Sequence, residues 1–237
     1  NGDARVALNA LELAVSAMTP DGIGIRRIGL PAIEDALQQR SLMYDKAGEE
    51  HFNIISALHK TMRGSDPDGA LYWLGRMLEA GEDPLYVARR VVRFASEDVG
   101  MADPQALVIA VAAQQAVNFI GMPEGSLALA QAVVYMATAP KSNSLYTAYG
   151  KVREDVQKTR NDPVPLHLRN AVTPLMKGLD YGKGYKYAHD FEGHYVEQQG
   201  LPDALKGKLY YEPTDLGYES EIRERLERLK PGRDADH

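Results

Sequence analysis

At 237 residues the chain is long enough for one large domain or a small one joined to a larger one, and its 44% hydrophobic and 25% charged content is that of a globular chain. It has no cysteine, which excludes disulfides and thiolate metal sites and agrees with a cytoplasmic setting. A formal net charge of −6 argues against a uniformly basic nucleic-acid binder, and the most apolar stretch, residues 106–122, is broken by Gln114, Gln115 and Asn118 and is too short and polar to span a bilayer.

The elements read as helices from end to end. Residues 1–18 form one amphipathic helix with Ala4, Leu8, Leu11, Val15 and Met18 in a stripe. A connection containing Gly and Pro runs over 19–30, and Pro31 starts a short helix through 38. This piece is too small to bury a core of its own. Asp66-Pro67, Asp83-Pro84 and Asp103-Pro104 each place a capping carboxylate before a proline suited to a first helical turn. Gly81, Gly100 and Gly121 follow the ends of the intervening periodic runs, where glycine commonly closes a helix. Between these marks the predicted core stripes are Leu71, Leu74 and Leu78, then Val87, Val91 and Phe94, then Leu107, Val111 and Ala112. The helices predicted over 104–119 and 126–139 lack a broad polar face. Such helices are buried on several sides, in a domain centre or between subunits. No segment alternates as a strand does, so the fold class is all-α, built of packed helical hairpins.

The C-terminal third changes character. Seven of the thirteen tyrosines, at 181, 185, 187, 195, 210, 211 and 218, fall amid glycines, which predicts a loop-rich lobe with aromatic anchors. A last helix over 219–229 places Ile222, Leu226 and Leu229 on one side and alternating acid and arginine on the other, a solvated surface pattern. Beyond Pro231 the tail is expected to be disordered. The organisation expected is 1–45, 46–230 and a tail at 231–237.

Charge is unevenly spread. From Lys141 to Tyr187 nine Lys and Arg stand against four acids, a local excess of +5 in an acidic chain. The candidate DNA contacts there are Lys141, Arg160, Lys177, Lys183, Lys186 and Tyr185. The string Tyr181-Gly182-Lys183-Gly184-Tyr185-Lys186-Tyr187 interleaves bases and aromatics, which suits phosphate contact and base stacking. It equally suits a lobe whose tyrosines fill a core while the lysines snorkel, the commoner outcome. Lys141-Ser142-Asn143-Ser144 could be a phosphate-binding turn, but a helix cap at Ser142 or Asn143 is the better reading. The six histidines form no metal pattern: His189 and His194 are five apart, and His51 and His59 lack a carboxylate at the right spacing. Arg63, Asp66 and Asp68 read as a capped helix start with a surface ion pair, and Ser96-Glu97-Asp98 as acidic capping or solvated surface. Arg5, in the first turn of its helix, sits beside free backbone N–H groups that attract anions and could complete a phosphate site, although a solvated arginine is the plainer reading.

The strings GDARVALNALELA, YDKAGEEHFNIISALHKTMRGSDPDGALYWLGRMLEAGEDP, RRVVRFASEDVGMADP, APKSNSLYTAY, LRNAVTPLMKGLDYGKGYKYAHD and LPDALKGKLYYEP resemble the C-terminal half of the replication-associated recombination protein A (MgsA) family. The relatives of that family include the eukaryotic Werner-helicase-interacting ATPases. The resemblance implies a parent AAA+ ATPase related to clamp loaders, acting with ATP and Mg on DNA at stalled or damaged forks. It makes residues 1–45 the end of the AAA+ lid and Arg5 the sensor-2 arginine that reaches the γ-phosphate. The remainder, 46–230, would be a helical, collar-like oligomerisation domain assembling tetramers and engaging DNA, single-stranded-DNA-binding protein or other replication proteins. No G-x-x-x-x-G-K-[ST] loop occurs in the chain. With asparagine, not methionine, at position 1, the sequence is expected to be part of a longer protein, catalytically silent by itself, without a cofactor of its own, and nucleoid-associated in the cytoplasm. One departure from the family pattern is Asp180, where a glycine is expected.

Overall fold

The computed structural model describes residues 49–159 and 161–231 continuously, with scattered residues between 11 and 33. Among these there is no strand. Eight α-helices succeed one another: α1 (Glu49–Arg63), α2 (Pro67–Glu79), α3 (Pro84–Phe94), α4 (Gln105–Ile120), α5 (Ser126–Thr138), α6 (Ser144–Lys158), α7 (Pro174–Gly178) and α8 (Tyr218–Leu229). Within the predicted first helix, residues 11, 12, 14 and 15 are helical. Arg5, Arg160 and residues 232–237 lie outside the described residues.

The Asp-Pro signals act where they stand. Asp66 caps α2 by accepting from the Gly69 amide at 2.9 Å, with Pro67 in the first turn. Asp83 accepts from the Leu85 amide at 2.9 Å and Asp103 from Gln105 at 3.0 Å, satisfying N–H groups that a helix start leaves open. Gly81 and Gly121 come after α2 and α4 in the left-handed region, at φ 78° and 81°. Gly100 differs. After Phe94 the chain widens into a π-helix, Ala95–Val99, and Gly100 opens a 3-10 turn through Ala102. A β-carbon on Gly100 would stand 2.9 Å from the Ser142 carbonyl oxygen, so the glycine serves a close approach and does not simply end a helix.

The chain divides into two compact units, residues 1–92 with 109–138, and residues 93–108 with 139–237. In the first, α1, α2 and α5 pack on one another around Leu58, Met62, Leu74, Met77, Leu129 and Met136. Val87 and Val91 of α3 are buried as predicted, as is Phe94, which falls in the second unit. The stripe on α2 is turned by a residue, since Ala70, Leu74 and Met77 are buried while Leu71 is exposed. On α4 the prediction is inverted. Ala106, Ala110, Ala113 and Val117 are buried, whereas Leu107, Val111 and Ala112 face solvent. The buried side of α4 is thus lined by small residues, and its larger ones turn outward. By contrast α5, with Leu129, Ala132, Val133 and Met136 all buried, is a core helix.

The buried polar side chains of the first unit include His51 and Glu82. His51 pairs through Nδ1 with Glu82 Oε2 at 2.9 Å and through Nε2 with the Tyr86 hydroxyl at 3.1 Å. The carboxylate that helical spacing could not supply comes from the α2–α3 connection.

Candidate interaction site of the second unit

The second unit is built around a carboxylate. Glu219, in the first turn of α8, is 0% exposed, an exception on a helix whose Glu221, Glu224, Arg225, Glu227 and Arg228 are exposed as its surface pattern predicts. Its Oε2 accepts from Ser142 Oγ at 2.7 Å, from the Thr214 amide at 2.9 Å and from Thr214 Oγ1 at 2.7 Å. Its Oε1 accepts from Tyr211 at 2.9 Å and from Ser144 Oγ. Burial alone would raise the carboxyl pKa, but these hydrogen bonds to the charged form overcome it and hold Glu219 down to about 2. The helix enters this cradle through Gly217, at φ 56°, where a β-carbon would fall 2.1 Å from the Ala102 carbonyl oxygen.

This resolves the two readings of Lys141-Ser142-Asn143-Ser144. Asn143 holds the N-cap position of α6 without a side-chain bond, and Ser142 Oγ accepts from the Ser144 amide at 3.3 Å. The turn does bind an anion, and that anion is Glu219 of the same chain. Lys141 is half-buried, its Nζ donating to the Ala139 carbonyl, and burial pushes its ammonium pKa down.

A second tie lies at the other end of α6. Asp155 is buried, paired with Lys208 and accepting from the Tyr210 hydroxyl at 2.8 Å, and both hold its pKa below the usual carboxylate range. Lys151 meets Glu212 at 2.7 Å between the two ties. Residues 208–219 thus run back along α6 as a strap, joined to it at 155, 151 and 144. On the π-helix, Glu97 accepts from Arg93 Nε at 2.5 Å, and the Asp98 carbonyl accepts from the Ser142 amide at 2.8 Å.

The basic, tyrosine-rich lobe is placed differently from its core-filling expectation. Tyr181 is half-buried with the Arg169 guanidinium 5.0 Å over its ring, whereas Tyr185 and Tyr187 are 52% and 54% exposed. Lys177, Lys183 and Lys186 are exposed, with Lys183 paired to Asp180 at 3.0 Å and Lys186 Nζ near the Glu197 carbonyl at 3.4 Å. Asp180 itself has φ 61°, the conformation that explains a glycine in the family pattern and that aspartate tolerates. His189 and His194, separated by helical reasoning, bring their rings to 5.0 Å, with Gly193 and His194 both at positive φ within the second of two 3-10 turns, Ala188–Asp190 and Glu192–His194. Among the described residues no group of three His, Asp or Glu could hold a metal ion, and the hydroxyl turn at 142–144 is filled by Glu219.

Residues 64–230 match the family model described as MgsA AAA+ ATPase C terminal, and residues 1–63 match the AAA C-terminal domain. The chain is 48% identical over 231 residues to replication-associated recombination protein A of Haemophilus influenzae, covering 97% of this chain and 52% of that protein. It is 50% identical over 229 residues to the protein of that name from Coxiella burnetii, covering 96% and 52%. Against ATPase WRNIP1 of Dictyostelium discoideum it is 45% identical over 229 residues, covering 90% and 26%. The chain spans about half the length of the bacterial relatives. No helix among the described residues is long and apolar enough to cross a membrane. The helical fold and sequence matches that run from one end to the other place this chain in the MgsA family, as the C-terminal part of an AAA+ ATPase.

Proposed function

We propose that this chain is the assembly and interaction module of an AAA+ ATPase that maintains replication forks and supports recombination and repair. It would hold ATPase heads in a homotetramer, so that nucleotide state in one subunit biases the next. The observation that carries the reading is the composition of α4 and α5: residues 104–140 contain one charge, Glu124, although α4 is only partly buried within the chain. Charge depletion at a solvent-facing surface is a mark of protein interfaces. Light scattering across a dilution series tests it. A stable mass near four times 26.1 kDa is expected. A persistent monomer would move assembly to another part of the parent. In that parent, Arg5→Ala is expected to depress ATP turnover and leave oligomer size intact.

A second reading has its own support. Tyr185 and Tyr187, more than half exposed and interleaved with Lys183 and Lys186, suit stacking and phosphate contact with DNA, fork or single-stranded. Binding should then weaken linearly in log salt. Absence of salt-sensitive binding to single strands, duplexes and forks removes this reading. Single-stranded-DNA-binding protein and other replication proteins are further partners of the proposed module.

A further inference from the structure

We infer that His189 and His194 form a binding site for a divalent transition-metal ion of the zinc and copper class, each imidazole supplying one ligand nitrogen. Both side chains are exposed, and their ring centroids lie 5.0 Å apart with the planes at 57°. Among the described residues no protein group hydrogen-bonds to either imidazole. The remaining ring contact is Tyr187, 5.1 Å from His189. His51 and His167 are engaged differently, the first by Glu82 and Tyr86 and the second by donating from Nε2 to the Gln199 carbonyl at 2.8 Å. Accessible imidazoles with open lone pairs are donors that zinc, copper and nickel accept, and the chain has no thiolate to compete for them.

The spacing is the one that a shared ion requires. With a metal–nitrogen bond of about 2.1 Å, the ion sits roughly 3.2 Å from each ring centroid. Two such ligands at a right angle hold their centroids about 4.5 Å apart, and at the tetrahedral angle about 5.2 Å. The observed 5.0 Å falls between these limits. Turning a ring about its Cβ–Cγ bond aims a nitrogen at the ion and leaves the centroid in place, and this torsion is broad for histidine.

The backbone presets this spacing. The Phe191 amide donates to the Ala188 carbonyl at 3.1 Å and the His194 amide to that of Phe191 at 3.0 Å, which fixes the turns that carry both rings. Such preorganisation lowers the ordering cost of binding. Asp190 and Glu192 lie between the two histidines in the chain, and their negative charge favours a cation there. No third His, Asp or Glu among the described residues completes a ligand set. The pair therefore supplies two donors, and water or an oxygen anion fills the open positions.

Isothermal titration calorimetry of the intact chain with zinc chloride tests the site, and electron paramagnetic resonance of added copper(II) counts the nitrogens bound. His189→Ala, His194→Ala and the double variant are compared with wild type after circular dichroism confirms each fold. His189→Gln and His194→Gln serve where an alanine variant misfolds. We expect one ion per chain, with two nitrogens on copper. Each single variant should raise the Kd about tenfold or more, and the double variant little further, because either loss opens the same chelate. Magnesium at equal concentration should not displace zinc, since hard cations take oxygen ligands. Displacement by magnesium, binding that persists in both single variants, or no binding by the wild type would overturn the site.

Discussion

Leu58 in the first unit and Glu219 in the second are both fully buried, and they hold their units by opposite means. Leu58 stabilises by leaving water, a gain of about 2 kcal/mol spread over many small contacts. Glu219 is destabilised by leaving water, and the structure is sound there only because several donors converge on it. An apolar layer loses stability in proportion to what is removed from it. A polar cradle, once its acceptor is gone, leaves every donor unsatisfied together.

The sharpest way to break the comparison is Glu219→Ala. It strands five donor groups around a void and should cost the second unit on the order of 4 kcal/mol. Trp73 is the chain's one tryptophan and lies on α2. Its fluorescence therefore reports on the first unit, and urea melts read by fluorescence and by circular dichroism should separate in this variant. Coincident melts would mean that the units unfold together. Next comes Leu58→Ala, expected to cost about 3 kcal/mol through lost transfer energy and a cavity, and to lower the fluorescence midpoint.

Acid should distinguish the units without mutation. Glu219 is held at about 2 in the folded state against an ordinary 4.5. Its contribution is therefore complete above the ordinary value and is lost as pH falls from 4.5 toward 2. The loss is about 3 kcal/mol. Asp155, lowered by Lys208 and Tyr210, adds to it with the same sign. Urea midpoints of the second unit, taken between about pH 6 and pH 3, should fall steeply in wild type and less so in Glu219→Gln. The smallest effect belongs to the exposed pair. Lys151→Ala removes the contact to Glu212 and should shift stability by less than about 0.5 kcal/mol, read from the same melts.

Sequence alone reveals what is local. Asp66, Asp83 and Asp103 cap the helices they precede because capping needs only residues within one turn. Val87, Val91 and Phe94 are buried because their spacing is that of a single helical face. The inversion of α4 is hidden in the sequence because nearly every position there is apolar, and hydrophobicity without contrast cannot orient a helix. The burial of Glu219 is hidden because its partners Ser142 and Ser144 lie 77 and 75 residues away. The His189–His194 approach falls in a segment with a left-handed His194, to which helical spacing rules do not apply. The nucleotide-sensing assignment of Arg5 rests on resemblance, and the residue lies outside the described structure.

The strap along α6 also governs how the lobe can change over time. Its ties at Asp155 and Lys208 bring together two points of the chain that bracket the tyrosine-rich loops, so those loops hang from a closed handle. Lengthening a loop of roughly fifty residues whose ends are already joined adds only about 0.6 kcal/mol per doubling. The lobe is thus a place where insertions, deletions and new binding loops can be tried by evolution, or grafted by design, while the frame that anchors them stays the same.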